Sequence, residues 1–246
     1  MEFRSPARQK TMASPAKACD NLRRPFQKRL TRAMWMNVLA LPSTRRSTSQ
    51  RRRAPQIIDA AARVFAERGF HGATTQDIAN VLGIRQASLY YYFSSKEAAL
   101  ELVCLKGVEG FFEAAKAIAA RPESARKRLI SLISSHLSPL VDRADFVKVF
   151  LKERQHLPSE SRRRIGRWSR GLERIFEEVI KEGVAKGEFR ADVDIRLAAL
   201  AILGMCNAAS SWHRKENVDV ADIADQFARL VIDGMGKCPA SRRRRR

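Results

Sequence analysis

A chain of 246 residues, 45% of them hydrophobic, can bury a substantial core as two small domains or one large one. Its formal net charge of +21 points first to an anionic partner such as nucleic acid. Four cysteines without a CxxC or other close pair (Cys19, Cys104, Cys206 and Cys238) argue against a metal framework or a disulfide scaffold, so no metal and no cofactor are expected and a reducing, cytoplasmic compartment fits.

The charge is unevenly placed. Residues 1–53 hold 14 Lys/Arg against 2 Asp/Glu, and Arg242 to Arg246 add five more positive charges. Between them, 54–241 has 28 basic and 24 acidic residues and is nearly balanced. Basic ends of this kind bind phosphate non-specifically or stay solvated, and residues 1–50 and 237–246 read as disordered extensions. The stretch Ala33 to Leu41 (AMWMNVLAL) follows basic residues as a signal core would, but it is short, starts late and is followed by Arg45 and Arg46. A start at Met34 or Met36 is expected ahead of targeting, because nothing upstream has helical or strand period. A run of about 18 apolar residues is not found, so no membrane span is expected.

From residue 54 the pattern becomes helical. Pro55 suits a helix start, and Ile57, Ile58, Ala61, Ala62, Val64, Phe65 and Ala66 form a wide apolar face before Gly69 stops the helix. Thr74 and Asp77 form a capping box for a short second helix, buried through Ile78, Ala79, Val81 and Leu82 and ended by Gly83. A third helix is expected over Arg85 to Phe93, with Leu89, Tyr92 and Phe93 turned inward, and Ser94 or Ser95 caps a fourth. Beyond it the reading is helical, with breaks at Arg121-Pro122, Ser138-Pro139, Leu157-Pro158, Gly187 and Glu216-Asn217. No Asn-Gly or Asp-Gly hairpin lies between alternating strands, so the fold class is all-α.

Two short helices joined by a glycine turn, the second rich in exposed polar and aromatic groups, are the shape a major groove accepts. The sequence Thr74 to Phe93 (TTQDIANVLGIRQASLYYYF), with Phe65-x-x-x-Gly69-Phe70 before it and Ser95-Lys96 after it, resembles the TetR family of bacterial repressors. That resemblance implies an operator-binding helix-turn-helix domain at 51–100, a ligand-binding and dimerisation domain at 101–236, and a homodimer on palindromic double-stranded DNA released by a small effector. Position by position, it assigns Thr74, Thr75 and Lys96 to phosphate, and Gln76 to a base. It puts Arg85, Gln86, Ala87 and Ser88 at the front of the recognition helix, and Tyr90 and Tyr91 on phosphate or base. Gln suits adenine and Arg suits guanine. Arg85 departs from the Ser or Thr that caps this helix in the family. Arg cannot cap, so Arg85 is free to reach DNA. Segment 54–100 is electrically neutral, and a basic arm, Arg51, Arg52 and Arg53, is expected to supply the missing attraction along a phosphate strand or in the minor groove.

In the second domain, Asp192 to His213 and Val218 to Met235 resemble the last two family helices, which form a four-helix dimer bundle. Phe111, Phe112, Phe146, Phe150, Trp168 and Trp212 are candidate pocket residues, with core packing the competing reading for each. Arg164 and Trp168 share a helix face within an arginine cluster (Arg162, Arg163, Arg164, Arg167, Arg170) that could hold phosphate and stack a base. The surrounding pattern resembles the branch of the family that senses acyl-CoA thioesters and related lipid or steroid catabolites. The ligand residues taken forward are Arg164, Trp168, Phe111 and Phe150, with a CoA thioester as the implied effector; a solvated basic face is the alternative.

An enzyme is not expected: there is no GxGxxG, P-loop, HExxH or GxSxG, and His71, His136, His156 and His213 have no visible triad partners. A non-sensing architectural DNA binder that works through its tails is the other rival, and it predicts salt-dependent binding with little sequence preference.

Overall fold

The computed structural model describes residues 48–236, with side chains from Arg53 onward. The expected basic extension before residue 48, the candidate starts at Met34 and Met36, and the tail after residue 236 lie outside the described residues. Among the described residues every regular element is helical, in agreement with the all-α reading.

Helix α1 runs Thr48–Gly72 and includes Pro55, so it begins earlier than the proline suggests. The residues read as a basic arm are therefore helical backbone, and Arg53 is an exposed position on α1. Ile57, Ile58, Ala61, Ala62, Val64 and Phe65 form its buried face. Gly69 breaks the helix with φ 71° and ψ 169°, a conformation a side chain would strain, and the chain turns there before its last residues.

Helix α2 is Thr75–Leu82, closed by Gly83 at φ 63°. The next segment corrects the expected third α-helix: Gln86–Tyr91 is a 3-10 turn. Its N–H groups reach back three residues, Ser88 to the Arg85 carbonyl at 2.9 Å and Tyr92 to that of Leu89 at 2.8 Å. So short a stretch has little α ladder of its own to gain, and it is held by the buried Leu89 and Phe93 instead. Tyr92, expected to be buried, is half-buried.

Helix α3 (Lys96–Val108) is capped by Ser95, which accepts the Ala98 N–H at 3.1 Å. It is followed by α4 (Phe111–Ala119), α5 (Ala125–Leu137), the single turn α6 (Pro139–Asp142), α7 (Ala144–Glu153, continued by a 3-10 turn to His156), α8 (Ser159–Ala185), α9 (Ile195–Trp212) and α10 (Val220–Met235). Pro122, Pro139, Pro158, Gly187 and Asn217 all sit at or between helix ends, as the sequence implies. An unexpected break falls at Gly110, whose φ of 83° lets α4 leave α3 at a new angle.

The core of the larger part forms around α5. Leu129, Leu132, Ile133 and Leu137 pack with Phe176, Val179 and Ile180 of α8, Ile202 and Cys206 of α9, and Ile223 and Ile232 of α10. Arg128 is buried in this core, its guanidinium donating to the Ala119 carbonyl at 2.7 Å and pairing with Glu182 at 2.6 Å. It thereby ties the end of α4 to α8. At Gly183 the packing is so close that a Cβ would lie 2.3 Å from the Phe189 ring.

Helices α3 and α7 carry the remaining architecture. Both pack on α1 and on each other, and both extend into the body behind it. The expected domain boundary at residue 100 therefore falls inside α3.

Helix α9 qualifies the expectation that no membrane-length apolar run exists. By length and composition alone it could cross a membrane, with a mean hydropathy of 1.3 over Ile195–Trp212. Arg196, Asn207 and the serines interrupt it, so it is not a continuous apolar run. One side of α9 is buried through Ala199, Ile202, Cys206 and Ala209, while Leu197 is 63% exposed.

Candidate nucleic-acid interface and ligand cavity

The reading surface is built by local bonds. The Thr74 hydroxyl accepts the Asp77 N–H at 3.1 Å, and the Asp77 carboxylate accepts the Thr74 N–H at 2.9 Å, so the capping box is closed in both directions. Arg68 of α1 donates to the same carboxylate at 2.7 Å. The bonds from Thr74, with Arg68 beside them, hold the Asp77 carboxyl below the ordinary carboxylate range. A buried Ile78 and Ala79 then fix which face of α2 points out.

Of the residues assigned to DNA, Arg53, Thr74, Gln76, Arg85, Ala87, Tyr90 and Tyr91 are exposed. Among the described residues Tyr91 is the most open large apolar side chain, at 72%. Arg85 makes no capping bond, in keeping with its chemistry. Of the remaining assignments, Thr75, Gln86 and Lys96 have intramolecular partners, as does the exposed Gln76. Gln86 is half-buried and its amide donates to the Thr75 hydroxyl at 2.6 Å, joining the 3-10 turn to the first turn of α2. Gln76 donates to Asn80 at 2.7 Å along α2. Ser88 is half-buried. Lys96 turns inward: its ammonium donates to the carbonyls of Phe70 and Ala73 at 2.9 and 3.0 Å and lies 4.5 Å from the centre of the Phe70 ring. That ammonium satisfies carbonyls at and just past the end of α1, where a helix leaves acceptors without intrahelical donors.

A second set of contacts joins this head to α7. Glu153 accepts the Phe70 N–H at 3.0 Å. His156 stacks on the Phe70 ring at 5.3 Å and meets His71 edge-on at 4.4 Å.

Behind the head lies a partly open cavity of about 80 Å³. Phe111, Phe150 and Trp168, three of the four ligand residues read from the sequence, line it together. Phe112, Val147, Leu151 and Leu172 complete most of the apolar wall. Phe146 and Trp212 do not: Phe146 is core, and Trp212 packs on Phe227 with ring centres 6.3 Å apart. Arg164, the fourth, is ion-paired with Glu101 of α3 and is absent from the lining. Arg163, Arg167 and Arg170 are exposed on α8.

Three polar residues of the wall were missed: His136, Ser169 and Asn207. They come from α5, α8 and α9, so no sequence spacing could have grouped them. Burial pushes the His136 imidazole below its ordinary pKa, against the opposing bond to Asn207, and keeps the ring neutral. Cys206 also faces the cavity, its thiol pushed up to about 12 by burial and hence unreactive.

Two stretches of the chain match known families. Residues 57–103 match bacterial regulatory proteins of the tetR family, and residues 122–235 match the tetracyclin repressor-like C-terminal domain. A TetR/AcrR-family transcriptional regulator from Thermobifida fusca is 30% identical and superposes over 76% of this chain and 100% of its own, with a TM-score of 0.59. The chain belongs to the TetR family. It is a ligand-responsive DNA-binding transcriptional regulator, with its helix-turn-helix in the head and its effector domain behind. The HTH-type transcriptional repressor KstR2 of Rhodococcus jostii is 29% identical over 74% of this chain and 91% of its own. The transcriptional regulator FadR of Bacillus subtilis, solved in complex with stearoyl-CoA, is 27% identical over 74% of this chain and 98% of its own, with a TM-score of 0.61.

Proposed function

We propose that this TetR-family chain is a homodimeric repressor, a binding protein rather than an enzyme, that leaves a palindromic operator when a CoA thioester enters the cavity lined by α3 to α9. The observation that carries the reading is that the two helices holding the head also wall the cavity. Helix α7 contributes Val147, Phe150 and Leu151 to the wall and holds the end of α1 through Glu153. Helix α3 contributes Gly107 and Val108 to the wall and ties the α1–α2 corner through Lys96. A ligand that spreads the wall displaces both tethers together, over a span of roughly 18 Å along α3.

The lining supports an acyl or ring-system tail, since burying apolar surface against aromatic walls is favourable. The CoA head, with its phosphates, would lie outside, where Arg163, Arg167 and Arg170 line one side of α8. The stearoyl-CoA bound by the related FadR fits this chemistry. Dimerisation is assigned to α9 and α10. Leu197, Leu200 and Leu230 are exposed on these two helices, and pairing the faces would cover them and match a two-fold operator.

On DNA, Tyr90, Tyr91, Arg85, Thr74 and Gln76 supply the direct contacts, and Arg53 a phosphate contact. Gln86 and Lys96 hold the presenting surfaces in place. Calorimetry with short, long and steroid-derived acyl-CoAs tests the effector class: at least one is expected to bind with one site per chain. Absence of binding across the panel would remove the CoA thioester from the account.

A further inference from the structure

Inside this apolar cavity, His136 and Asn207 are out of keeping with their surroundings. The His136 Nε2 and Asn207 Oδ1 atoms are 3.0 Å apart, joining α5 to α9 across the wall. In that arrangement the imidazole Nε2–H donates to the amide carbonyl. A neutral imidazole then presents its second nitrogen, Nδ1, as an acceptor, and that atom is buried with no hydrogen-bond partner. The Asn207 amide nitrogen remains as a donor on the same wall. Ser169, on α8, adds a hydroxyl whose one bond is a long 3.5 Å contact to the Ile165 carbonyl. The rings of Phe111 and Phe176 flank His136 edge-on at 5.7 and 6.4 Å, fixing its plane.

A saturated hydrocarbon tail would cover these groups and satisfy none of them, a cost that discriminates strongly between ligands of equal size. We infer that the His136–Asn207 pair, with Ser169, is a polar subsite that selects an effector whose buried portion carries a hydroxyl or ketone oxygen. A hydroxyl fits best, since it can donate to His136 and accept from Asn207. The inference rests on the cavity being the effector site and deepens that reading from "acyl thioester" to "oxygenated acyl thioester".

The test compares the full-length chain with matched ligand pairs in calorimetry: saturated against hydroxylated and keto-substituted acyl-CoAs of one chain length, with the oxygen walked along the chain, and the corresponding free acids. The wild type should bind at least one oxygenated member about tenfold tighter than its saturated partner. Asn207→Leu and His136→Phe, which keep a branched and a ring side chain but remove the polar atoms, should erase that ratio while holding or improving affinity for the saturated chain. Equal affinities within every pair, or a preference that persists in both variants, would overturn the subsite. If no CoA thioester binds but an oxygenated free acid does, with the same loss in the variants, the CoA reading fails and the subsite stands. If nothing in either series binds, both fall.

Discussion

The reading head and the effector cavity are built on opposite principles. In the head, polar groups are closed on one another: Thr74 with Asp77 inside one turn, and, across helices, Gln86 with Thr75 and Lys96 with the Phe70 and Ala73 carbonyls. The cavity is assembled from seven helices, is largely apolar, and leaves a polar atom on its wall unsatisfied. The contrast suits a switch. A surface that must fit a groove benefits from preorganisation, while a chamber that must respond to a ligand benefits from interactions completed only on binding.

The comparison can be broken first at the head. Replacing Tyr90 and Tyr91 together by Ala removes the exposed aromatic edge without touching Leu89 or Phe93. Operator affinity should fall by tenfold or more, with thermal stability unchanged, as read by fluorescence anisotropy and melting. Retained affinity would mean that the 3-10 turn does not face DNA.

The next largest effect separates packing from recognition. Gly183→Ala puts a methyl group against Phe189 and should destabilise the body by about 1–3 kcal/mol through overpacking. Arg128→Ala removes the link from α4 to α8 and should cost about 2 kcal/mol. Both should be visible in urea melts. Neither should alter the half-site preference, because both lie far from the reading surface.

The head's own bonds give smaller effects. Thr74→Ala opens the capping box and should cost about 1 kcal/mol. Asp77 adds a pH signature. Its carboxyl is held low in the folded chain, so its stabilising contribution is present above the unfolded carboxylate pKa. That contribution is lost as pH falls through the lower, folded value. Wild type should therefore lose more stability on acidification than Asp77→Asn does. Parallel pH profiles would show that the box contributes nothing. The smallest expected change is at Arg53: Arg53→Ala should lower the salt slope of operator binding by about 0.9, the share of one phosphate contact.

How much could be read from residues alone follows the same contrast. The capping box, the Gly83 turn and the inward Leu89 and Phe93 were legible because each depends on neighbours a few positions away. Tyr90, Tyr91 and Arg85 were legible as exposed for the same reason. The 3-10 form of Gln86–Tyr91 was not, since an apolar period looks alike in a short 3-10 turn and a short α-helix. Gln86 and Lys96 are residue types that suit DNA, and type alone implies an outward side chain. Their partners, Thr75 and the α1 carbonyls, are decided by tertiary approach. The size of Phe111, Phe150 and Trp168 marks them in the sequence, but size serves a cavity and a core equally. His136 and Asn207 lie far apart in the chain, and only the packing of α5 on α9 joins them.

The account stands or falls on coupling between cavity and head. The direct measurement is operator dissociation, followed by anisotropy on a labelled palindrome from upstream of the chain's own gene, during titration with the acyl-CoA that calorimetry selects. The wild type should release DNA as the cavity fills. Glu153→Ala, which cuts the bond from α7 to Phe70, should bind the ligand normally but shift release by fivefold or more. Full operator occupancy at saturating ligand, with binding confirmed by calorimetry, would contradict the account.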